Sequence, residues 1–189
     1  ILLSAMLPED LEEKELQNMM AQAEEICSRY HVQIAGGHTE ITGAVRQPVL
    51  TVTGIGKRKK EDVSGRSVKP GQDVVVSKWL GLDGTVRIAR EHRAELLTRY
   101  PARMIEEAAG FEQFFSVIPE AATARKSGVC GIHDVSQGGI FGALWELANG
   151  AGVGLEIDLK KLPVRQETIE ICEFFNLNPY ELSSAGCLL

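Results

Sequence analysis

The sequence predicts an α+β fold in which helices are layered on mixed sheets. Segments with helical and with strand-like periodicity alternate along the chain, and no internal repeat interrupts them. At two places along the chain, a predicted strand is followed by glycines and then by a predicted helix. The length of 189 residues, of which 44% are hydrophobic and 24% charged, is sufficient for one large domain or two small ones.

The first elements that the sequence predicts are a helix, a strand, a polar loop and a second strand. Pro8 and Asp10 are typical of a helix start, and apolar residues then recur at helical spacing up to about Arg29. The segment HVQIAG, residues 31–36, predicts a short strand. The segment PVLTVTGIGK, residues 48–57, predicts the next strand because β-branched residues occupy alternate positions. The apolar positions of the helix are Leu11, Leu16, Met19, Met20, Ala23 and Ile26.

The two strand-to-glycine-to-helix junctions lie in the second half of the chain, in residues 73–97 and 128–152. Such junctions direct unpaired backbone N–H groups and the positive end of a helix dipole at one place, which favours phosphate. The glycines are Gly81 and Gly84 in the first junction and Gly138 and Gly139 in the second.

The helix of the second junction is predicted to stop at Gly150. Residues 152–164 predict a further strand, and residues 165–186 predict a helix that Asn178 and Pro179 end. One face of the second-junction helix is predicted to be apolar, with Phe141, Leu144, Trp145 and Ala148.

The charged stretch that contains Pro70 and Gly71 predicts a domain boundary. We assign residues 1–62 to the remainder of a first domain and residues 63–189 to a second domain. Both tips of the sequence are apolar, ILLSAML and GCLL, whereas natural termini are usually polar and exposed. We therefore expect the sequence to be a piece of a longer protein.

The composition argues against nucleic acid and membranes as partners. A net charge of −6 supplies no broad positive field, and the basic run of residues 57–60 is typical of a solvated strand end. No apolar run approaches the roughly 18 residues of a membrane span, and no signal-peptide core is present. The four cysteines are far apart and form no CxxC pair, which indicates free thiols in a reducing cytoplasm.

Polar residues that could carry chemistry follow the first glycine pair. His38, Thr39 and Glu40 come after Gly36 and Gly37, and they form either a metal or phosphate cluster or a loop that satisfies backbone groups. In the functional interpretation the glycines let the backbone pass close to another group. Glu40 would then hold a Mg²⁺ ion that bridges phosphates.

A second polar group lies ahead of the second glycine pair. In one interpretation His133 and Asp134 form an acid/base pair. In the other, Asp134 is only the N-cap of the following helix. Gly138 and Gly139 are explained by close packing or by a phosphate cradle. Each would destabilise a helix interior by about 1 kcal/mol relative to alanine.

The segment GIHDVSQGGI, residues 131–140, resembles the HDxSxGG segment of the aminoimidazole ribonucleotide (AIR) synthetase superfamily. The segments IAGGHTEIT and VLTVTGIG resemble its GGxT loop and the TxxG strand that follows. The superfamily includes thiamine monophosphate kinases, selenophosphate synthetases and hydrogenase maturation factors, and the resemblance to the last group is closest. The resemblance covers nearly the whole chain in the right order. It therefore implies that the chain contains the tail of the superfamily's first domain and a second domain of three-layer α/β/α type.

Members of the superfamily bind ATP with Mg²⁺ and activate an amide or carboxyl oxygen by phosphoryl transfer. The resemblance implies that Gly36, Gly37 and Thr39 bind the nucleotide and that Glu40 binds the metal. The residues that it implies in the second domain are Gly138 and Gly139 for cofactor binding and His133 and Asp134 for catalysis.

The superfamily's glycine-rich N-terminal loop and acidic metal ligands precede the segment matched here. We therefore expect half of an ATP site, and no activity from this chain alone. The resemblance also implies a homodimer that pairs through first-domain strands, a small-molecule substrate and a maturation partner protein. The alternative function is a non-catalytic dimeric module of the same fold that binds a nucleotide or metabolite.

Overall fold

The computed structural model describes residues 1–57 and 68–189. Contacts divide the chain into two compact units, Ile1–Lys60 and Glu61–Leu189, and each is described by itself. The predicted boundary between residues 62 and 63 lies outside the described residues and stays a prediction. Residues 58–60 of the basic run also lie outside them.

The first unit contains a three-stranded mixed sheet in the order β2-β1-β3. The central strand β1 (Leu2–Leu7) pairs in parallel with β2 (Gly36–Ile41) and antiparallel with β3 (Val49–Thr53). Alternate residues of β1 point to one face, and three of them are buried. These buried residues are Leu3, Ala5 and Leu7.

The helix α1 (Glu13–Arg29) ends in a motif that changes the prediction for the next strand. His31 adopts the left-handed conformation with φ 55°, and the N–H of Val32 donates to the carbonyl of Cys27 at 2.8 Å. Residues 31–35 follow this motif without forming a strand, so the strand predicted at residues 31–36 is wrong except at Gly36, which begins β2. The strand forms instead over residues that were predicted to be a loop.

The described residues of the second unit form several helices and a small antiparallel sheet. Its strands are β4 (Asp134–Val135) and β5 (Cys187–Leu188). Short 3-10 helices cover Gly110–Phe114 and Leu159–Lys161. The α-helices are α2 (Leu82–Glu91), α3 (Arg93–Leu96), α4 (Ala102–Ala109), α5 (Ile118–Lys126), α6 (Gly139–Ala151) and α7 (Gln166–Phe174).

Buried side chains of the second unit form separate apolar clusters. One joins α2, α3, α4 and α7, and beside it the hydroxyl of Thr85 donates to that of Thr168 at 2.9 Å. Another joins α6 to β4 and β5. Its buried members are Leu80, Val135, Ile140, Ala143, Leu144 and Cys187.

Several predicted boundaries in the second unit are wrong by a few residues. The helix α6 ends at Ala151, one residue beyond the predicted stop, because Gly152 adopts the left-handed conformation. The helix α7 ends at Phe174, since Asn176 is left-handed and the N–H of Leu177 donates to the carbonyl of Cys172. The helix therefore stops before the predicted Asn-Pro pair.

Two predicted strands and one predicted face are also wrong. Residues 73–77 and 153–158 form no strand, although Leu80 and Val164 make an isolated parallel bridge. The apolar face of α6 is rotated by about one residue, so that Trp145 is 67% exposed while Leu144 is buried. Among the described residues, no helix has both the length and the hydropathy to cross a membrane.

Candidate functional site

The first candidate residues lie on the strand β2. Gly37 pairs with Leu3 of β1, and a Cβ at Gly37 would overlap the Leu3 carbonyl group. The close backbone approach that the glycine pair predicts is therefore made to the neighbouring strand of the same sheet. Gly36 has more room, because the atom nearest to a Cβ placed there would lie 3.9 Å away, on the Leu2 side chain.

The strand separates Thr39 from Glu40. Thr39 is paired with Ala5 and Glu40 with Met6, so their side chains point to opposite faces of the sheet. The Glu40 carboxylate lies on the same face as His38, with Oε2 3.8 Å from the imidazole Nε2, and both side chains are exposed. The structure thus groups Glu40 with His38 and not with Thr39.

Glu40 fits the chemistry of a magnesium ligand, although its surroundings supply no complete site. Mg²⁺ prefers oxygen ligands and is commonly bound by one or two carboxylates together with substrate phosphates and water. Within residues 1–57 and 68–189, no group of three or more His, Cys, Asp or Glu side chains could hold a metal ion. The metal role of Glu40 stays a prediction.

The structure excludes the capping interpretation of Asp134. Asp134 lies on β4, paired with Leu188, whereas α6 begins at Gly139 with Gly138 as its N-cap. Its side chain is 69% exposed, and Oδ1 lies 3.9 Å from Nδ1 of His133. The carboxylate is therefore open to a ligand from solvent.

The imidazole of His133 is held by groups of the same chain on both sides. Nδ1 lies 2.6 Å from the backbone carbonyl oxygen of Asp134, and Nε2 lies 3.2 Å from the Glu146 carboxylate. The ring thereby connects β4 to α6. Sequence reasoning missed Glu146, because an acidic residue within an amphipathic helix is by itself an ordinary solvent-facing group.

Gly138 and Gly139 serve two different purposes. Both adopt the left-handed conformation, with φ 79° and 60°. A Cβ at Gly139 would clash with the Tyr180 carbonyl and would lie 2.8 Å from that of Leu182, so close packing explains this glycine. A Cβ at Gly138 would meet only Gly142, at 3.5 Å.

The N-terminus of α6 is only partly open to an anion, because Gly138 is exposed whereas Gly139 and Ile140 are buried. Gly139 donates its N–H to the Ser136 carbonyl. The N–H of Phe141 donates to the Tyr180 carbonyl over a long distance of 3.4 Å. Among the described residues, no protein acceptor receives the backbone N–H of Gly138 or Ile140. Unpaired N–H groups at a helix N-terminus favour phosphate.

The other glycine junction is filled by the chain itself, so the prediction of an anion site there is wrong. Gly81 donates its N–H to the Ser184 hydroxyl at 2.7 Å, and Gly84 donates to the Ser183 carbonyl. The Asp83 carboxylate accepts from the Ser183 hydroxyl and from the N–H of Ala185. A serine-rich segment late in the chain thus occupies the place that a phosphate would take.

Comparison with known protein families supports this architecture. A family described as AIR synthase related protein matches twice, through its N-terminal domain over residues 1–57 and its C-terminal domain over residues 69–186. The chain belongs to this family. The predicted resemblance and the predicted α+β class with a mixed sheet are both confirmed.

Curated relatives include the carbamoyl dehydratase HypE of Rhodobacter capsulatus. It is 30% identical over 162 residues, which cover 84% of this chain and 45% of the relative. A putative hydrogenase expression/formation protein of Methanocaldococcus jannaschii is 22% identical over 97% of this chain and 53% of its own length. The chain therefore spans about half the length of these relatives.

Solved structures show the same fold. HypE of E. coli, a hydrogenase maturation protein, has a TM-score of 0.75 at 22% identity, over 98% of this chain and 56% of that one. HypE in complex with ATP has a TM-score of 0.70 at 19% identity, and the match covers 98% of this chain and 54% of that one. A chain of a HypE–HypF complex has a TM-score of 0.70 at 24% identity, and the match covers 100% of this chain and 61% of that one.

Proposed function

We propose that this chain is part of a cytoplasmic, ATP- and Mg²⁺-dependent enzyme that activates an amide or carboxyl oxygen by phosphoryl transfer. The observation that carries the proposal is the exposed, unpaired N–H of Gly138 at the N-terminus of α6, a few residues after the exposed carboxylate of Asp134. Membership of the AIR synthase related family and the likeness to a HypE structure that contains ATP support the choice of nucleotide.

In this proposal the two candidate groups of the second unit have different roles. The N–H group of the exposed residue Gly138, with the positive end of the α6 dipole, binds a phosphate oxygen. Asp134 supplies a negative charge that acts on metal-bound nucleotide or on the substrate. His133 has both ring nitrogens engaged, so it holds β4 and α6 together and positions Asp134.

The metal ligand that we propose belongs to the first unit. Glu40 would hold Mg²⁺, which neutralises phosphate charge when it is bound. Gly36, Gly37 and Thr39 remain proposed nucleotide contacts through the strand β2. Since the register directs Thr39 away from Glu40, only one of these two side chains can face a given ligand.

The proposed substrate is a small molecule with an amide or carboxyl group, and carbamoyl compounds come first. The name of the Rhodobacter relative, carbamoyl dehydratase, supports this class. The HypE–HypF complex supports a maturation partner protein. The family resemblance further suggests that the active form is a homodimer.

The proposal is tested by measuring ADP release from Mg²⁺-ATP in the intact protein with a panel of carbamoyl compounds, amides and carboxylates. We expect release that depends on one substrate class and is lost in Asp134→Asn, whereas Glu156→Gln, an exposed carboxylate elsewhere in the second unit, retains it. Nucleotide binding without ADP release for any substrate would favour the alternative, a non-catalytic dimeric binding module.

A further inference from the structure

Lys78, shortly ahead of α2, is a largely buried cation that is surrounded by oxygen atoms of its own chain. Its ammonium donates to the carbonyls of Phe114 at 2.9 Å, of Ser116 at 2.5 Å and of Gly186 at 3.1 Å. The Glu120 carboxylate lies 2.8 Å from the same nitrogen, and the Lys78 side chain is only 16% exposed. Groups from distant parts of the chain thus converge on one charge.

The backbone of Lys78 is strained as well. Its φ of 57° lies in the left-handed region, which residues other than glycine seldom adopt. Such a conformation persists only where the surrounding structure holds it. The charge-assisted contacts of the ammonium offset this strain and the unfavourable burial of the charge.

The oxygen atoms around the ammonium depend on it in turn. Three carbonyl dipoles and one carboxylate point their negative ends at the same place, so they repel one another when the cation is removed. A Cβ at Gly186 would lie 2.7 Å from the Phe114 carbonyl oxygen, which shows how closely these two segments pack. Loss of the ammonium therefore moves Gly186 away from Phe114.

Gly186 directly precedes β5, and the residue before Lys78 binds that strand too. Ser77 donates its N–H to the Leu188 carbonyl, and its hydroxyl accepts from the N–H of Leu188, both at 2.9 Å. The thiol of Cys187 donates to the Ser77 carbonyl at 3.1 Å. Residues 77 and 78 together therefore hold the whole of β5.

The strand β5 is the partner of β4, on which Asp134 lies. Asp134 pairs with Leu188, and Val135 pairs with Cys187. A ladder of two residue pairs has little stability of its own. The position of the Asp134 backbone is consequently determined by the contacts that hold β5.

We propose that Lys78 is a positioning residue for Asp134, because its ammonium fixes Gly186 and, through β5, the strand β4. The effect of Lys78 on Mg²⁺-ATP binding rests on the proposed function. The hold on β4 does not, so the two are measured separately.

Hydrogen exchange in the intact protein measures the hold on β4. Lys78→Met has a side chain of similar length without the charge, and the N–H groups of residues 133–135 should exchange about tenfold faster or more. Those of α4 and α7, which pack in another apolar cluster, should change much less. Lys126→Met is the matched control, because it removes an exposed lysine from α5 and should leave exchange in residues 133–135 unchanged.

Chemical rescue separates positioning from a general loss of stability. Lys78→Gly relieves the backbone strain, since glycine adopts positive φ readily, and it leaves space for a free amine. The n-butylammonium ion has the carbon chain and the charged group of the missing side chain. It should restore slow exchange in residues 133–135 and the affinity for Mg²⁺-ATP. Tetramethylammonium has the same charge but no N–H group to donate, and it should restore neither.

Three results would overturn the proposal: equal acceleration in α4 and α7, unchanged exchange in the Lys78 variants, or equal rescue by the two ions. If the Lys78 variants do not fold, Glu120→Gln keeps an acceptor oxygen but removes its charge. It should still speed exchange in residues 133–135 about threefold, and unchanged exchange there would overturn the proposal. The expected exchange and rescue in a protein that binds no Mg²⁺-ATP would support the positioning role and contradict the proposed function alone.

Discussion

The four cysteines differ in chemical state, which gives a prediction at the scale of single residues. Burial raises the pKa of Cys172 and of Cys187 to about 11, whereas Cys27 and Cys130 are only partly buried. The thiolate is the reactive form, so the two buried thiols should resist alkylation. At pH 8, brief treatment of the native protein with iodoacetamide should add two groups by mass spectrometry, and treatment in urea should add four. Four rapid additions to native protein would contradict this assignment.

Glu167 gives a second prediction at this scale, through its pairing with Arg165. Burial alone would raise the pKa of the Glu167 carboxyl, but hydrogen bonds from the Arg165 guanidinium and from the backbone bring it below the usual 4.5. The ionised form therefore stabilises the fold above about pH 4.5, and this contribution is lost as the pH falls through the lowered pKa. The destabilisation caused by Glu167→Gln should be present at pH 7 and shrink toward pH 3.

Urea denaturation at the two pH values measures this difference. Glu173→Gln is the matched control, because Glu173 pairs with Arg99 at the surface, where its side chain is 62% exposed. Exposed pairs contribute little, so the control should change the urea midpoint only slightly at either pH. If Glu167→Gln lowers the stability of the protein equally at pH 3 and at pH 7, the ion-pair explanation is contradicted.

At the scale of one element, α6 contains two glycines with opposite expected behaviour. Gly139 is left-handed, and a Cβ there would clash with the carbonyls of Tyr180 and Leu182. Gly150 lies in the last turn of the helix with no atom within 4 Å of a Cβ. We expect Gly139→Ala to destabilise the protein by about 2 kcal/mol or more. Gly150→Ala should stabilise it by about 0.4–1 kcal/mol, because alanine has fewer unfolded conformations.

Thermal unfolding of the two variants in parallel checks this prediction. The Tm of Gly139→Ala should fall below that of the wild type, and the Tm of Gly150→Ala should rise above it. A Gly139→Ala variant as stable as the wild type would show that residues 180–182 are not packed against the start of α6.

Elements with clear periodicity could be predicted from the sequence, whereas their ends and some strands could not. The helical spacing before Arg29 predicted α1, and the alternation in residues 48–57 predicted β3. The end of α1 depends on the left-handed conformation of His31, which residues other than glycine seldom adopt. Periodicity also cannot tell which neighbour pairs with a strand, so the placement of residues 36–41 beside β1 was missed.

The candidate site was predictable to a similar degree. The glycine pairs correctly indicated close backbone approaches, because a missing Cβ is needed at Gly37 and at Gly139. What the glycines approach depends on the tertiary fold, and at both positions it is another part of the same chain. The exposure of Asp134 and the contact of His133 with Glu146 also depend on how the chain folds around them.

At the scale of the whole molecule, the sheet of the first unit exposes apolar side chains that a second copy could cover. Ile41 is 69% exposed, Val52 is 57% exposed and Leu50 is 44% exposed, and the strand register places all three on one face. A contiguous apolar surface on a sheet is typical of a protein interface. We expect light scattering to show a dimer, and Val52→Lys to shift the protein toward the monomer. A wild-type protein that stays monomeric at high concentration would contradict the homodimer.

The exposed N–H of Gly138 at the start of α6 and the Asp134 carboxylate are proposed to bind Mg²⁺-ATP, and calorimetric titration of Mg²⁺-ATP tests this directly. Asp134→Asn removes only a charge at an exposed position that caps no helix, so its Tm should stay within about 1 °C of the wild type. Its affinity for Mg²⁺-ATP should nevertheless fall at least tenfold, about 1.4 kcal/mol, while Glu156→Gln binds as the wild type does. Equal affinity in all three proteins, or no binding to the wild type, would contradict the account.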